Sequence, residues 1–295
     1  MYFNTTLHMK AKGTLIPIGG NEDKGIEENE MYHLEYIEEG ILSRVVKESG
    51  GVNAHIIIIP TASSIPEEVG ENYLQAFGKF GCHNLFVMDI RKREDSDNPE
   101  FIEKMKTANC VMFSGGNQSK ITEKIGNTTL HKIMMQRFQE EPFVIAGTSA
   151  GAMCMSQEMI AGGSSQESFI KGAVKMKTGM GFIPELIIDS HFIRRGRFGR
   201  MAEAVAKFPN LIGIGLAEDT GLVIKNCSTF EVIGSGMVLV FNARKAKHNN
   251  HHLLEEGTPM SLTNLKTHIL ANGDRFNIKK KKVNISPFAI PVIEG

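Results

Sequence analysis

The sequence predicts an α/β fold: a doubly wound, mostly parallel sheet with helices on both faces and extra antiparallel strands toward the C-terminus. Three observations carry this expectation. Short β-branched apolar runs alternate with amphipathic stretches through the first half of the chain, the β-α-β order of a parallel sheet. The run Ile56–Ile59 is apolar at every position, as expected of a strand covered on both faces. Several such runs end in small residues, Gly19-Gly20, Ser114-Gly115-Gly116 and Gly147-Thr148-Ser149, which suits tight strand-to-helix turns.

In chain order, Leu15–Ile18 reads as the first strand. Residues 31–48 repeat apolar side chains at Leu34, Ile37, Ile41 and Val45, one face of a helix. Ile56–Ile59 is the second strand, Pro66–Phe80 a helix and Leu85–Met88 a strand. Ile102–Thr107 is helical and Val111–Phe113 a strand, and residues 119–139 are helical with a break at Gly126-Asn127. Phe143–Ala146 is a strand that runs into Gly147, and Ala152–Gln157 is compatible with a helix. After about residue 160 the pattern changes. Leu186–Ile188 and Ile212–Leu216 read as strands around a basic helical segment, 194–207. The runs Leu222–Ile224, Phe230–Ile233, Met237–Phe241 and Leu265–Leu270 are strand-like and closely spaced, which favours antiparallel pairing. There is no internal repeat and no linker, so residues 1–295 are expected to form one domain.

A chain of 295 residues can bury a sizeable core. Lys+Arg and Asp+Glu each number 33, so the net charge is zero. That excludes a polyanion binder relying on bulk positive charge, and nucleic acid is not an expected partner. Tryptophan is absent, which excludes a Trp-lined carbohydrate cleft. Cys82, Cys110, Cys154 and Cys227 include no CxxC pair, so reduced thiols and a cytoplasmic location are expected. The first thirteen residues lack an apolar signal region, and the apolar runs are far too short to span a membrane. The segment from His248 to His252 (HNNHH) reads as an exposed loop rather than a metal site, and Lys279–Lys282 as a solvated surface or a blunted sheet edge.

The strongest chemical signal is Gly147-Thr148-Ser149-Ala150-Gly151, a G-x-S-x-G between a strand and a helix-compatible segment. Small residues permit a sharp turn that lifts the Ser149 hydroxyl above the sheet. At a helix N-terminus there, backbone N–H groups and the helix dipole would favour a developing anion. A serine nucleophile needs a base, and the base needs an orienting group. His191 directly follows the strand Leu186–Ile188, and Glu218 and Asp219 directly follow Ile212–Leu216. Ligand sites of parallel sheets gather at such carboxyl ends, so His191 is the candidate base and Glu218 or Asp219 its holder. Gly115-Gly116 ends another strand and can supply a second oxyanion N–H, with Gln118 a polar substrate contact. The order Ser149, His191, acid differs from the Ser, acid, His order of α/β-hydrolases, which disfavours a lipase or esterase. Residues 194–200 hold four arginines. On a helix Arg197 and Arg200 would share a face, with Arg194 near Arg197, a cluster suited to carboxylate recognition.

Six ordered blocks carry a family resemblance: GTLIPIGGNEDK (13–24), IIPTASSIPEEVG (58–70), FSGGNQSKI (113–121), GTSAGAMCMS (147–156), DSHFIRRGRFGRM (189–201) and GIGLAEDTGLVI (213–224). In these the chain resembles the cyanophycinases, serine peptidases related to the aspartyl dipeptidases and built on a class I glutamine-amidotransferase-like sheet. The resemblance implies Ser149 as nucleophile, His191 as base and Glu218 as third member. It also implies substrate contacts from Gln118, Asp189, Arg195, Arg197 and Arg200. The expected activity is exopeptidase cleavage of cyanophycin (multi-L-arginyl-poly-L-aspartate) to β-Asp-Arg dipeptides through an acyl-enzyme. The oxyanion would be held by N–H groups of Gly116 and Ala150. No metal or organic cofactor is required, and the family implies a homodimer. The alternative substrates are small aspartyl peptides cleaved by a dipeptidase or isopeptidase. Two motifs depart from the family pattern: GGDQ reads Gly115-Gly116-Asn117-Gln118, and DQHF reads Asp189-Ser190-His191-Phe192.

Overall fold

The structure, a computed structural model, describes residues 11–25, 38–163 and 169–287. Five parallel strands come first: β1 (Thr14–Ile18), β2 (Ile56–Ile59), β3 (Leu85–Val87), β4 (Cys110–Phe113) and β5 (Val144–Thr148). Their spatial order is β1-β5-β4-β2-β3. Every residue of β1, β2, β4 and β5 is buried, because helices cover both faces and a strand so placed has no polar side. Successive side chains feed two cores. Ile16, Ile18, Ile56 and Ile58 pack against helices α1 (Ile41–Glu48) and α2 (Pro66–Lys79). Leu15, Ile57, Ile59 and Phe113 face the layer of α3 (Pro99–Thr107), α4 (Gln118–Ile125) and α5 (Thr129–Glu140).

Helix boundaries follow their caps. α3 begins three residues before the expected Ile102, because Asn98 accepts from the Glu100 N–H and Pro99 opens the helix. The break at Gly126-Asn127 separates α4 from α5, with Asn127 at φ 60° and Thr128 capping α5. Of the helix expected over 31–48, α1 supplies the last eight residues, and residues 31–37 lie outside the described residues.

After β5 comes a four-residue helix, α6 (Ala150–Met153), shorter than and earlier than the Ala152–Gln157 expectation. A hairpin of β6 (Glu158–Gly163) and β7 (Val174–Thr178) follows, then β8 (Leu186–Asp189), α7 (Phe198–Lys207) and β9 (Ile212–Leu216). The remaining strands are β10 (Thr220–Lys225), β11 (Thr229–Gly234), β12 (Val238–Asn242), β13 (His248–Asn249), β14 (Leu262–Thr263), β15 (Lys266–Leu270), β16 (Arg275–Asn277) and β17 (Lys282–Asn284). The antiparallel additions divide among three sheets, the smallest being the pair β13–β14. β10, β11, β16 and β17 extend the first sheet beyond β1 to nine strands. β12 and β15 join the parallel pair β8–β9 in a second sheet, ordered β15-β12-β9-β8. Lys282 opens the edge strand β17. His248 lies on β13, while His251 is buried with its ring against His252. Among the described residues no helix is long and apolar enough to cross a membrane.

Candidate active site

Four strand ends converge on one cavity of about 410 Å³. β1 contributes Gly20, Asn21, Glu22 and Lys24; β4 contributes Gly115 and Gly116; β5 contributes Thr148 and Ser149; β8 contributes His191 and Arg195; α2 closes a side with Val69, Asn72 and Tyr73. The end of β9 delivers Glu218 to the back of His191. The site therefore sits at the carboxyl ends of the strands, where helix N-termini and loops leave open space.

Ser149 occupies a strained turn at φ 50° and ψ −106°. Such a conformation costs about 1–3 kcal/mol and persists only where its surroundings over-determine it. Two tight approaches do so. A Cβ on Gly147 would lie 2.6 Å from the Gly151 backbone, and one on Gly151 would lie 2.5 Å from Phe113 O. Both glycines of the motif are thus steric requirements. The Ser149 N–H donates to Ile18 O at 2.8 Å, tying the turn to β1. Gly115 and Gly116 stand beside the serine, and Gly116 adopts φ 137° with Ala62 O where a Cβ would go.

His191 is also left-handed, at φ 48°, with its N–H on Gly19 O. Its Nδ1 lies 3.0 Å from Glu218 Oε1. With Nδ1 engaged, Nε2 is the ring nitrogen left for a second partner. A Cβ on Gly20 would approach the imidazole Cε1 to 2.3 Å, so the second glycine after β1 makes room for the ring. Of the two acids left open by the sequence, Glu218 is the one that meets the imidazole. Asp219 is buried at φ 43°, accepting from the Asp23 N–H and the Ser235 hydroxyl. It staples the β9–β10 turn to the loop after β1.

Burial holds the His191 imidazole below its ordinary pKa of 6.5. The Arg195 charge adds to this, and the Glu218 contact opposes it. If His191 serves as a general base, it must be neutral to act. The acid limb of kcat/KM should therefore have its midpoint below 6.5. Glu218→Gln removes an upward influence and should move the midpoint lower still. A pH profile of both proteins checks this, and a midpoint above the ordinary value would contradict it.

The basic segment is arranged differently from the expected single helical face. α7 starts only at Phe198, so Arg194, Arg195 and Arg197 precede it in turns. Arg195 is exposed and lines the cavity. Arg200, 5% exposed, places Nε and Nη2 on the two oxygens of fully buried Asp189 at 2.8 and 2.5 Å. Arg197 Nη1 donates to Asp189 Oδ1 at 2.9 Å and to Ser190 O at 2.6 Å. The fork-to-carboxylate pairing lies behind His191 and fixes the end of β8. Removing one charge of a buried pair costs about 3–5 kcal/mol, so Asp189→Asn should lose stability on that scale in denaturant unfolding. Gln118 opens α4 and donates its amide to Ile160 O on β6. The cavity lining brings together Ser149, His191, Gly116 and Arg195; Gln118, Asp189, Arg197 and Arg200 are outside that lining.

Ser190, buried, lies with its Oγ 3.4 Å from Ser149 Oγ and 3.3 Å from Met153 Sδ. Glu22, Lys24 and Tyr73 were not singled out from the sequence, yet they form one wall. Glu22 follows Gly19-Gly20 at a strand end, the same signal that marked His191 and Glu218. The four cysteines are free and buried; burial pushes the Cys110 thiol up to about 12, far from nucleophilic thiolate chemistry.

A strand-end serine and a carboxylate-bound imidazole at one cavity are the parts a serine peptidase uses. The family model of peptidase family S51 matches residues 29–232, and the chain belongs to that family. It is similar to a cyanophycinase of Geminocystis herdmanii, 37% identical over 271 residues covering 91% of this chain and 94% of the relative. A cyanophycinase of Trichormus variabilis is 35% identical over 272 residues, covering 92% and 88%. One of Thermosynechococcus vestitus is 30% identical over 279 residues, covering 95% and 83%. Among solved structures, a peptidase from an acI-B1 Actinobacterium shares the fold at a TM-score of 0.58 and 24% identity, covering 88% of this chain and 98% of that one.

Proposed function

We propose that this chain is an exopeptidase that hydrolyses cyanophycin to β-Asp-Arg dipeptides through Ser149, His191 and Glu218. The observation that carries the reading is the Glu218-bound imidazole sharing one cavity with a strained strand-end serine. The substrate rests on the cyanophycinases to which the chain is similar. His191 Nε2 takes the Ser149 proton as Oγ attacks a backbone carbonyl. Glu218 stabilises the imidazolium that results. N–H groups of Gly116 and Ala150 hold the oxyanion, one such donor being worth about 3–4 kcal/mol of barrier. The imidazolium then protonates the leaving amine, and water releases the acyl group. A single domain, a homodimer and a cytoplasmic location belong to the same proposal; the four free buried thiols fit a reducing compartment.

Cyanophycin presents a free carboxylate and a guanidinium on every unit, and Arg195 is the member of the basic cluster placed to meet the carboxylate. Asp189, Arg197 and Arg200 are paired with one another at the end of β8, and Gln118 is bonded to Ile160 O on β6. Arg195→Ala should raise KM for cyanophycin by roughly tenfold or more, the worth of one charge-assisted bond, with a smaller change in kcat. Unchanged KM would remove Arg195 from substrate binding. The function itself is tested by mass spectrometry of cyanophycin digests. β-Asp-Arg as the sole early low-mass product supports the exopeptidase reading. Internal fragments or intact polymer, with cleavage confined to small aspartyl peptides, would overturn it.

A further inference from the structure

Glu22 is a buried acid that the mechanism does not use. It is 2% exposed, four residues beyond the end of β1, and its two oxygens are fully engaged. Oε1 accepts from the Tyr73 hydroxyl at 2.5 Å and pairs with Lys24 Nζ at 2.9 Å. Oε2 accepts from the Thr148 hydroxyl at 2.5 Å. Lys24 Nζ also sits 5.2 Å above the Tyr73 ring. Three chain segments meet at one carboxylate: the loop after β1, the middle of α2 and the last residue of β5.

Thr148 immediately precedes Ser149. Its hydroxyl is held by a charge-assisted bond, stronger than a neutral one, while the Ser149 N–H is held by Ile18 O. The strained φ 50° turn is thus gripped on both sides of the Thr148–Ser149 link. Burial alone would push the Glu22 carboxyl up. Lys24 and the two hydroxyls outweigh it and keep the group below the ordinary carboxylate range, ionised at neutral pH. The Tyr73 hydroxyl is pushed well above its usual value by burial and by Glu22, so it remains a donor. An ionised acceptor keeps both hydroxyls pointed at itself, and Thr148 cannot turn away without abandoning a buried charge.

We propose that Glu22 is a positioning residue for the Ser149 nucleophile, acting through Thr148 with Tyr73 and Lys24 as its supports. This rests on the reading of Ser149 as the nucleophile. The consequence is a defect in the chemical step rather than in substrate capture. Displacements of a reacting group by about an ångström cost up to roughly a hundredfold in rate. Glu22→Gln and Thr148→Val should therefore lower kcat by roughly ten- to a hundredfold with KM nearly unchanged. The rate at which a fluorophosphonate labels Ser149 should fall in parallel. Thr148→Ser, which keeps the hydroxyl, should recover most of the loss seen in Thr148→Val.

The two variants are compared with the parent well below their melting temperatures, by kcat, KM and labelling rate. A merely structural Glu22 would lower the melting temperature and leave kcat and labelling intact; that result in both variants would overturn the proposal. Thr148→Val removes one hydroxyl at nearly constant shape, so the test survives a Glu22→Gln protein that fails to fold. Ser149→Ala is the control. Label persisting there would overturn the nucleophile reading itself, whereas label lost there but retained at the parent rate in Thr148→Val and Glu22→Gln would overturn only the positioning role.

Discussion

Ser149→Ala should fold like the parent and lose turnover by several orders of magnitude. The substitution removes one oxygen from a side chain at the cavity wall, and the turn is held by backbone contacts of Gly147, Gly151 and Ile18. Stability should change little. The rate should not survive, because deleting the nucleophile of a serine triad costs on the order of 10⁶-fold in kcat and leaves only binding and oxyanion stabilisation. Burial rules out rescue by a neighbouring thiol. Ser190 is close, at 3.4 Å, but its hydroxyl lies against Met153 Sδ, and it has no imidazole partner in the described contacts. Steady-state turnover on cyanophycin checks this, and more than about a tenth of the parent rate would be far outside the range for triad deletions.

The second large effect is expected at the acid. Glu218→Gln preserves the size of the side chain but removes the charge that faces Nδ1 at 3.0 Å. The amide can also present its NH₂ to the ring and favour the wrong tautomer. The comparable change in a serine protease triad costs about 10⁴ in kcat, and a loss approaching that scale is expected here. Asp219→Asn is the informative contrast. Asp219 accepts from Asp23 N and Ser235 Oγ rather than from the imidazole, so its loss should appear mainly in thermal stability. A greater rate loss at Asp219 than at Glu218 would reverse the assignment.

What could be read in advance follows from physics local to the chain. β1, β2, β4 and β5 are buried throughout, so each leaves a mainly apolar run that needs no tertiary knowledge to see. The strand ends are legible for the same reason: Ser149 stands out by its G-x-S-x-G turn and His191 by its place just beyond a strand, while position alone leaves Glu218 and Asp219 as alternatives and the family resemblance points to Glu218. The β6–β7 hairpin was not visible. β7 buries only Val174 and carries Lys175 and Lys177, so its sequence resembles a surface loop. The arginine cluster failed in a different way. The sequence predicts a helix over 194–207 with Arg197 and Arg200 on one face, but the segment before Phe198 is a turn, and Asp189 at the end of β8 accepts from both guanidinium groups. Pairing between residues eleven apart depends on how a strand hands over to a helix, which periodicity does not encode. Glu22 was legible in principle as a charged residue past a glycine pair. Only the fold reveals that α2 and β5 both donate to it.

If Ser149 is the nucleophile of a cavity that takes cyanophycin, the polymer and an active-serine reagent compete for one side chain. Peptide mapping after fluorophosphonate labelling, with and without saturating cyanophycin, tests both halves in one measurement. The account predicts a single adduct on the peptide containing Ser149, formed more slowly when cyanophycin is present. An adduct on another residue, or labelling of Ser149 indifferent to the polymer, would contradict it.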